Sequence, residues 1–89
     1  METMIDCFEI QNQLCFLSKC YPMIEWKVKY NPIGFYMNFT FSLKDGRYKY
    51  SGSFPCSHTE VAKSIIFDLS VEYLSILAKN GVNLNGSHN

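Results

Sequence analysis

The stretch that decides the fold is IEWKVKYNPIGFYMNFTFSLKDGRYKYSGSF, residues 24–54. Ile24, Trp26, Val28 and Tyr30 alternate with Glu25, Lys27 and Lys29; Phe35, Met37, Phe39, Phe41 and Leu43 then alternate with Tyr36, Asn38, Thr40, Ser42 and Lys44. Side chains in a strand point to opposite faces in turn, so one set belongs to a core and the other to water. Asp45-Gly46 follows, the pair favoured in a two-residue type I′ hairpin turn because both central residues need positive φ. That turn pairs Lys44 with Arg47, Leu43 with Tyr48, Phe41 with Tyr50 and Met37 with Phe54. Every apolar residue then falls on one face. Three antiparallel strands are expected, the third from Arg47 to Phe54.

Working outward, the first helix is expected from about Thr3 to Lys19. Cys7, Ile10, Leu14, Leu17 and Tyr21 recur at helical spacing, with Met4, Phe8 and Cys15 widening the stripe. Asp6 and Glu9 near its start and Lys19 near its end suit the helix dipole, and Pro22 stops it. After the strands, Ser57-His58-Thr59-Glu60 reads as a capping box. A second helix runs from there to about Lys79, with Gly81 as a left-handed cap. The order helix, three strands, helix gives an α+β class: a two-layer αβββα sandwich, both helices on one sheet face. Residues 1–80 form the single domain and 81–89 a flexible C-terminal tail.

With 89 residues, 16% of them aromatic, a core built on large rings is expected; each buried ring removes about 150–250 Å² from water. No run reaches membrane-spanning length and no cleavable leader is visible, so a soluble, cytoplasmic protein is expected. Cys7, Cys15, Cys20 and Cys56 read as free thiols, with a Cys20–Cys56 bridge left open. Their spacing, with His58 and His88, does not make a zinc site, and no cofactor is expected.

Formal charge is zero, yet five of the eight basic residues, Lys27, Lys29, Lys44, Arg47 and Lys49, fall on the expected outer sheet face against only Glu25. With Tyr36 they make a candidate partner-binding face; the alternative is a sheet face kept soluble by lysines. The second helix carries a broad face of Val61, Ala62, Ile65, Ile66, Leu69, Tyr73, Ile76 and Leu77. A second stripe, Phe67, Val71, Leu74 and Ala78, either packs on the first helix or the tail residues Val82 and Leu84, or forms a homodimer or partner interface. His58 beside Cys56 lacks an orienting third group, and no paired carboxylates or phosphate loop occur, so a non-enzyme is expected.

Two resemblances follow. The element order resembles the double-stranded-RNA-binding domain over nearly the whole chain. That family's second helix opens with lysines that grip phosphates; here the stretch is Ser57-His58-Thr59-Glu60-Val61-Ala62-Lys63, and Lys63 alone carries over. Its loop between strands one and two falls at Asn31-Pro32-Ile33-Gly34, without the family's histidine. The chain also looks like small α+β proteins of phages and mobile elements, anti-CRISPR inhibitors among them. The features are its size, a single compact domain, the lack of a catalytic set, and a Gly-rich strand running into a Thr-x-x-Ala helix ending in Tyr73-Leu74. That likeness implies a module that blocks a host or defence nucleic-acid-handling complex by binding a protein partner. The alternative is a nucleic-acid-binding domain using the basic sheet, with Tyr36 stacking on a base.

Overall fold

The computed structural model describes residues 5–84. Helix α1 spans Cys7–Cys20, strands β1, β2 and β3 span Ile24–Asn31, Tyr36–Leu43 and Tyr50–Pro55, and helix α2 spans Thr59–Lys79. The sheet is antiparallel in the order β1-β2-β3. Both helices lie on its apolar face, where Ile10 and Leu14 of α1 and Ala62, Ile66, Tyr73 and Leu77 of α2 meet Ile24, Trp26, Met37, Phe39, Phe41 and Leu43. The αβββα sandwich is thus as the alternation requires.

Aromatic rings form the centre of the core. Trp26 meets Phe41 edge-on at 4.9 Å, and Tyr73 stacks parallel on Tyr50 at 6.0 Å. Such ring pairs add about 0.5–1.5 kcal/mol each beyond the area they bury. Helix α2 ends in a Schellman motif: the Val82 N–H donates to the Leu77 carbonyl and Gly81, at φ 78°, to that of Ala78. The expected glycine cap is present, and it folds Val82 back against the core. Leu84 packs there too, while the rest of the expected tail, 85–89, lies outside the described residues.

The hairpin between β2 and β3 departs from the expected form in two ways that cancel. The Gly46 N–H donates to the Leu43 carbonyl and the Leu43 N–H donates to the Arg47 carbonyl, with Gly46 at φ 92°. Only Gly46 of the turn is left-handed, so this is a three-residue loop rather than the two-residue I′ form. Leu43 therefore faces Arg47, not Tyr48, and Lys44 does not pair with Arg47. A bulge at Tyr48, φ 57°, then inserts one residue and delays β3 to Tyr50. The register returns to Phe41↔Tyr50 and Met37↔Phe54, as the sequence pattern demands.

Other corrections have local causes. Phe35 is 52% exposed rather than in the core, because Gly34 (φ 92°) and Phe35 (φ 54°) turn the chain before β2 begins at Tyr36. Helix α1 starts at Cys7, with Asp6 as its N-cap accepting from the N–H groups of Phe8 and Glu9. Cys7, Phe8 and Cys15, expected on the apolar stripe, are exposed, and Thr3 and Met4 lie outside the described residues. The capping box does not form. His58 is the N-cap but its side chain makes no capping bond, pairing instead through Nδ1 with Ser57 Oγ, and Thr59 Oγ1 accepts from the backbone N–H of Asp6. The Cys56 N–H donates to the Phe35 carbonyl, which keeps the chain extended through that point and starts α2 late. Val61, expected on the core face, is exposed.

Candidate functional site

The outer sheet face is built by register. One row reads Lys27–Thr40–Ser51 and the next Lys29–Asn38–Ser53. Both helices lie on the other face, so small polar side chains form a platform bordered on β1 by the two lysines. Lys27 lies 3.9 Å from Glu25 on the same face, both well exposed, a pair that solvent screens to little net worth. Lys29 has no acid within ion-pair distance among the described residues. Lys49 is exposed one residue before β3, on the outward side by alternation with the inward Tyr50.

The remaining candidates lie elsewhere. Lys44 and Arg47 sit at the hairpin tip, lining a cleft of about 580 Å³ with Met23, Tyr48, Asn80 and Val82 beside the end of α2. Arg47 Nε is 2.8 Å from Asp45 Oδ2 and its guanidinium lies over the Tyr48 ring. The Arg47 backbone N–H and guanidinium hold the Asp45 carboxyl below the usual carboxylate range. Tyr36 occupies the opposite end of β2 from Lys44, eight residues or about 27 Å away. It is half-buried, and its hydroxyl accepts from Asn31 Nδ2 at 2.9 Å. The structure therefore gathers Lys27, Lys29 and Lys49 on or beside one platform and sets Tyr36, Lys44 and Arg47 at its two ends.

On the helical side the second stripe divides. Leu74 is half-buried against the core, whereas Phe67 and Val71 are 61% and 50% exposed. The two helices run parallel: Asp6 meets Thr59, the Lys63 ammonium donates to Glu9 Oε1 at 3.0 Å, and Gln13 Nε2 donates to the Lys63 carbonyl at 3.0 Å. The carboxylates of Glu9 and Glu60 hold the Lys63 pKa above its ordinary value, the hydrogen bond to Glu9 contributing most. Phe16, three residues beyond Gln13, lies on the shoulder of α1 that faces α2 and is 65% exposed. The sequence reading passed over Phe16. Its signal was an aromatic falling off the Ile10–Leu14–Leu17 stripe, but which shoulder met the other helix was not encoded locally.

All four cysteines are free; Cys7, Cys15 and Cys20 are exposed and Cys56 is buried, so no Cys20–Cys56 bridge forms. Burial pushes the Cys56 thiol pKa up, which makes it a poorer nucleophile beside His58. Among the described residues no group of three or more His, Cys, Asp or Glu could hold a metal ion, and no helix is long and apolar enough to cross a membrane. No family model, no curated protein and no solved structure matches the chain.

Proposed function

We propose that this chain is a small, non-catalytic protein-binding module that blocks a nucleic-acid-handling complex by occupying an acidic part of its surface. The observation that carries the reading is the uncovered platform of Lys27, Lys29 and Lys49 around Thr40, Ser51, Asn38 and Ser53. A flat, lysine-bordered face of short side chains lets a partner approach closely, and its charge speeds encounter with an acidic surface. The sheet and its hairpin carry five cations against two acids, and the helices with the Asp6 cap five acids against three cations. Approach is therefore oriented, sheet first. The assignment to phage or mobile-element inhibitors acting on a host or defence complex rests on the resemblance of type alone.

Two contacts favour a protein partner over a nucleic acid. Tyr36, the aromatic available for stacking on a base, has its hydroxyl engaged by Asn31 and is half-buried. Lys63, the residue positioned as a phosphate contact, is held between Glu9 and Glu60. Reversing Lys27, Lys29 and Lys49 to Glu should abolish partner capture in an affinity pull-down and leave the thermal melt unchanged. Normal capture by that triple variant would remove the sheet face as the contact. Fluorescence anisotropy with labelled RNA and DNA completes the test: tight binding whose logarithm falls with log[salt] by about 0.9 per phosphate contacted would transfer the face to nucleic-acid recognition.

A further inference from the structure

We propose that the furrow between α1 and α2 seats a cationic amphipathic helix from a partner protein. This goes beyond the sheet reading and concerns the opposite face of the molecule. Parallel packing runs two rows side by side, joined where Glu9 and Gln13 bond to Lys63. On α1 the row is Glu9, Gln13, Phe16, and on α2 it is Lys63, Phe67, Val71, each advancing by three or four residues. The furrow is polar at the N-terminal end of the helices and apolar one turn further on.

Three observations define the occupant. A concavity of about 490 Å³ opens between the helices, lined by Glu9, Asn12, Gln13, Phe16 and Lys63. Gln13 Nε2 donates to the Lys63 carbonyl and so ties the two helices together beneath this concavity. Glu9 and Glu60 together outnumber the one cation, Lys63, that they share. A lysine or arginine side chain at this end offsets the surplus negative charge. Phe16, Phe67 and Val71, all at least half exposed, then receive apolar residues one turn away on the same helix. A second copy of this chain fits worse, because it would set one acid-rich helical layer against another.

The test uses a labelled synthetic helix of about 18 residues with leucines at three- and four-residue steps and lysine or arginine flanks. A control has the same leucines and glutamate flanks. In anisotropy titrations the cationic helix should bind, and the control should bind at least about tenfold more weakly. The Phe67→Ser/Val71→Ser variant and, separately, Glu60→Lys should each lose about tenfold or more. All three positions are exposed, so the thermal melts should match the parent's. Lys27→Glu/Lys29→Glu should bind the helix as the parent does, which separates this surface from the sheet reading. Binding that ignores Phe67→Ser/Val71→Ser, equal binding of the control, or no binding of the cationic helix would each overturn the proposal. So would a dimer in light scattering that Phe67→Ser/Val71→Ser dissociates, since it would give the stripe to a second copy.

Discussion

Replacing Tyr73 by Phe and, separately, by Ala divides one residue's contribution into hydroxyl and ring. Tyr73 is fully buried, and its hydroxyl donates to the Tyr48 carbonyl at 2.8 Å. Its ring is parallel to that of Tyr50 and meets Trp26 at 6.0 Å and Phe41 at 5.8 Å. Tyr73→Phe keeps the ring and removes one hydrogen bond, worth about 1 kcal/mol net. Tyr48 sits in a solvent-exposed bulge, where water can serve the abandoned carbonyl and keep the cost near that figure. In a domain of this size the melt should fall by about 4–8 °C. Tyr73→Ala leaves a cavity bordered by three aromatic rings and should cost about 3–5 kcal/mol. Small domains have only about 0.05–0.15 kcal/mol of stability per residue, so the Ala variant should be close to unfolding at room temperature.

Trp26, the single tryptophan, touches this ring cluster, so its fluorescence during urea unfolding reports the right region. A pH series adds an independent check. Burial holds the Tyr73 phenol above its ordinary value of 10.0, so the folded state keeps a proton that the unfolded chain releases. Stability should be complete below that ordinary value and fall as pH rises from it toward the folded-state value. Burial, reinforced by Glu72, raises the Tyr50 pKa, and burial raises that of Cys56, so both act in the same direction. Tyr73→Phe removes the Tyr73 share alone and should flatten part of this alkaline decline. An Ala variant no weaker than the Phe variant would refute the ring's central place. An unchanged alkaline limb in Tyr73→Phe would refute the burial of the phenol.

Asp6→Ala should cost about 1 kcal/mol in thermal unfolding and Asp6→Asn only a few tenths, because Asn can still accept from the N–H groups of Phe8 and Glu9; equal losses in the two would mean that Asp6 acts by charge. A thiol reagent at neutral pH should label Cys7, Cys15 and Cys20 rapidly in the folded protein and Cys56 only on unfolding. Rapid labelling of all four would contradict the burial of Cys56.

The sheet was legible because alternation alone was enough to specify it. Alternation fixed which residues face inward, and that face requirement restored the register through Phe41↔Tyr50 even where the turn differed. The turn itself was misread because Asp-Gly also suits a three-residue loop with left-handed Gly46, and nothing local announces the compensating bulge at Tyr48. Helix starts failed for a related reason. Ser57 has the chemistry of a cap, but whether a hydroxyl caps its own helix depends on tertiary partners. Here Thr59 accepts from Asp6, and the Phe35 carbonyl holds Cys56 extended. Phe35 was lost to the core because only three-dimensional closure shows that two left-handed residues precede β2. The platform lysines could be read from alternation. The furrow could not, since its defining fact is which shoulder of each helix meets the other.

The two surfaces can be judged separately because they differ in both place and physics. The lysine platform and the furrow lie on opposite faces of a two-layer sandwich, so a substitution on one has no shared partner with the other and their effects should add. The platform acts through exposed charge, which salt screens over about 8–10 Å at moderate ionic strength. The furrow combines apolar contact with one charged, partly enclosed end, and raising salt should weaken only the latter share. Phe16, Phe67 and Val71 contribute little to the folded core as they stand, while their exposure adds to the risk of aggregation. Three apolar side chains aligned along one furrow are hard to explain by folding alone, whereas lysines on an open sheet also serve solubility. Structural economy therefore argues more strongly for an occupant at the furrow than at the sheet, even though the sheet carries the larger charge.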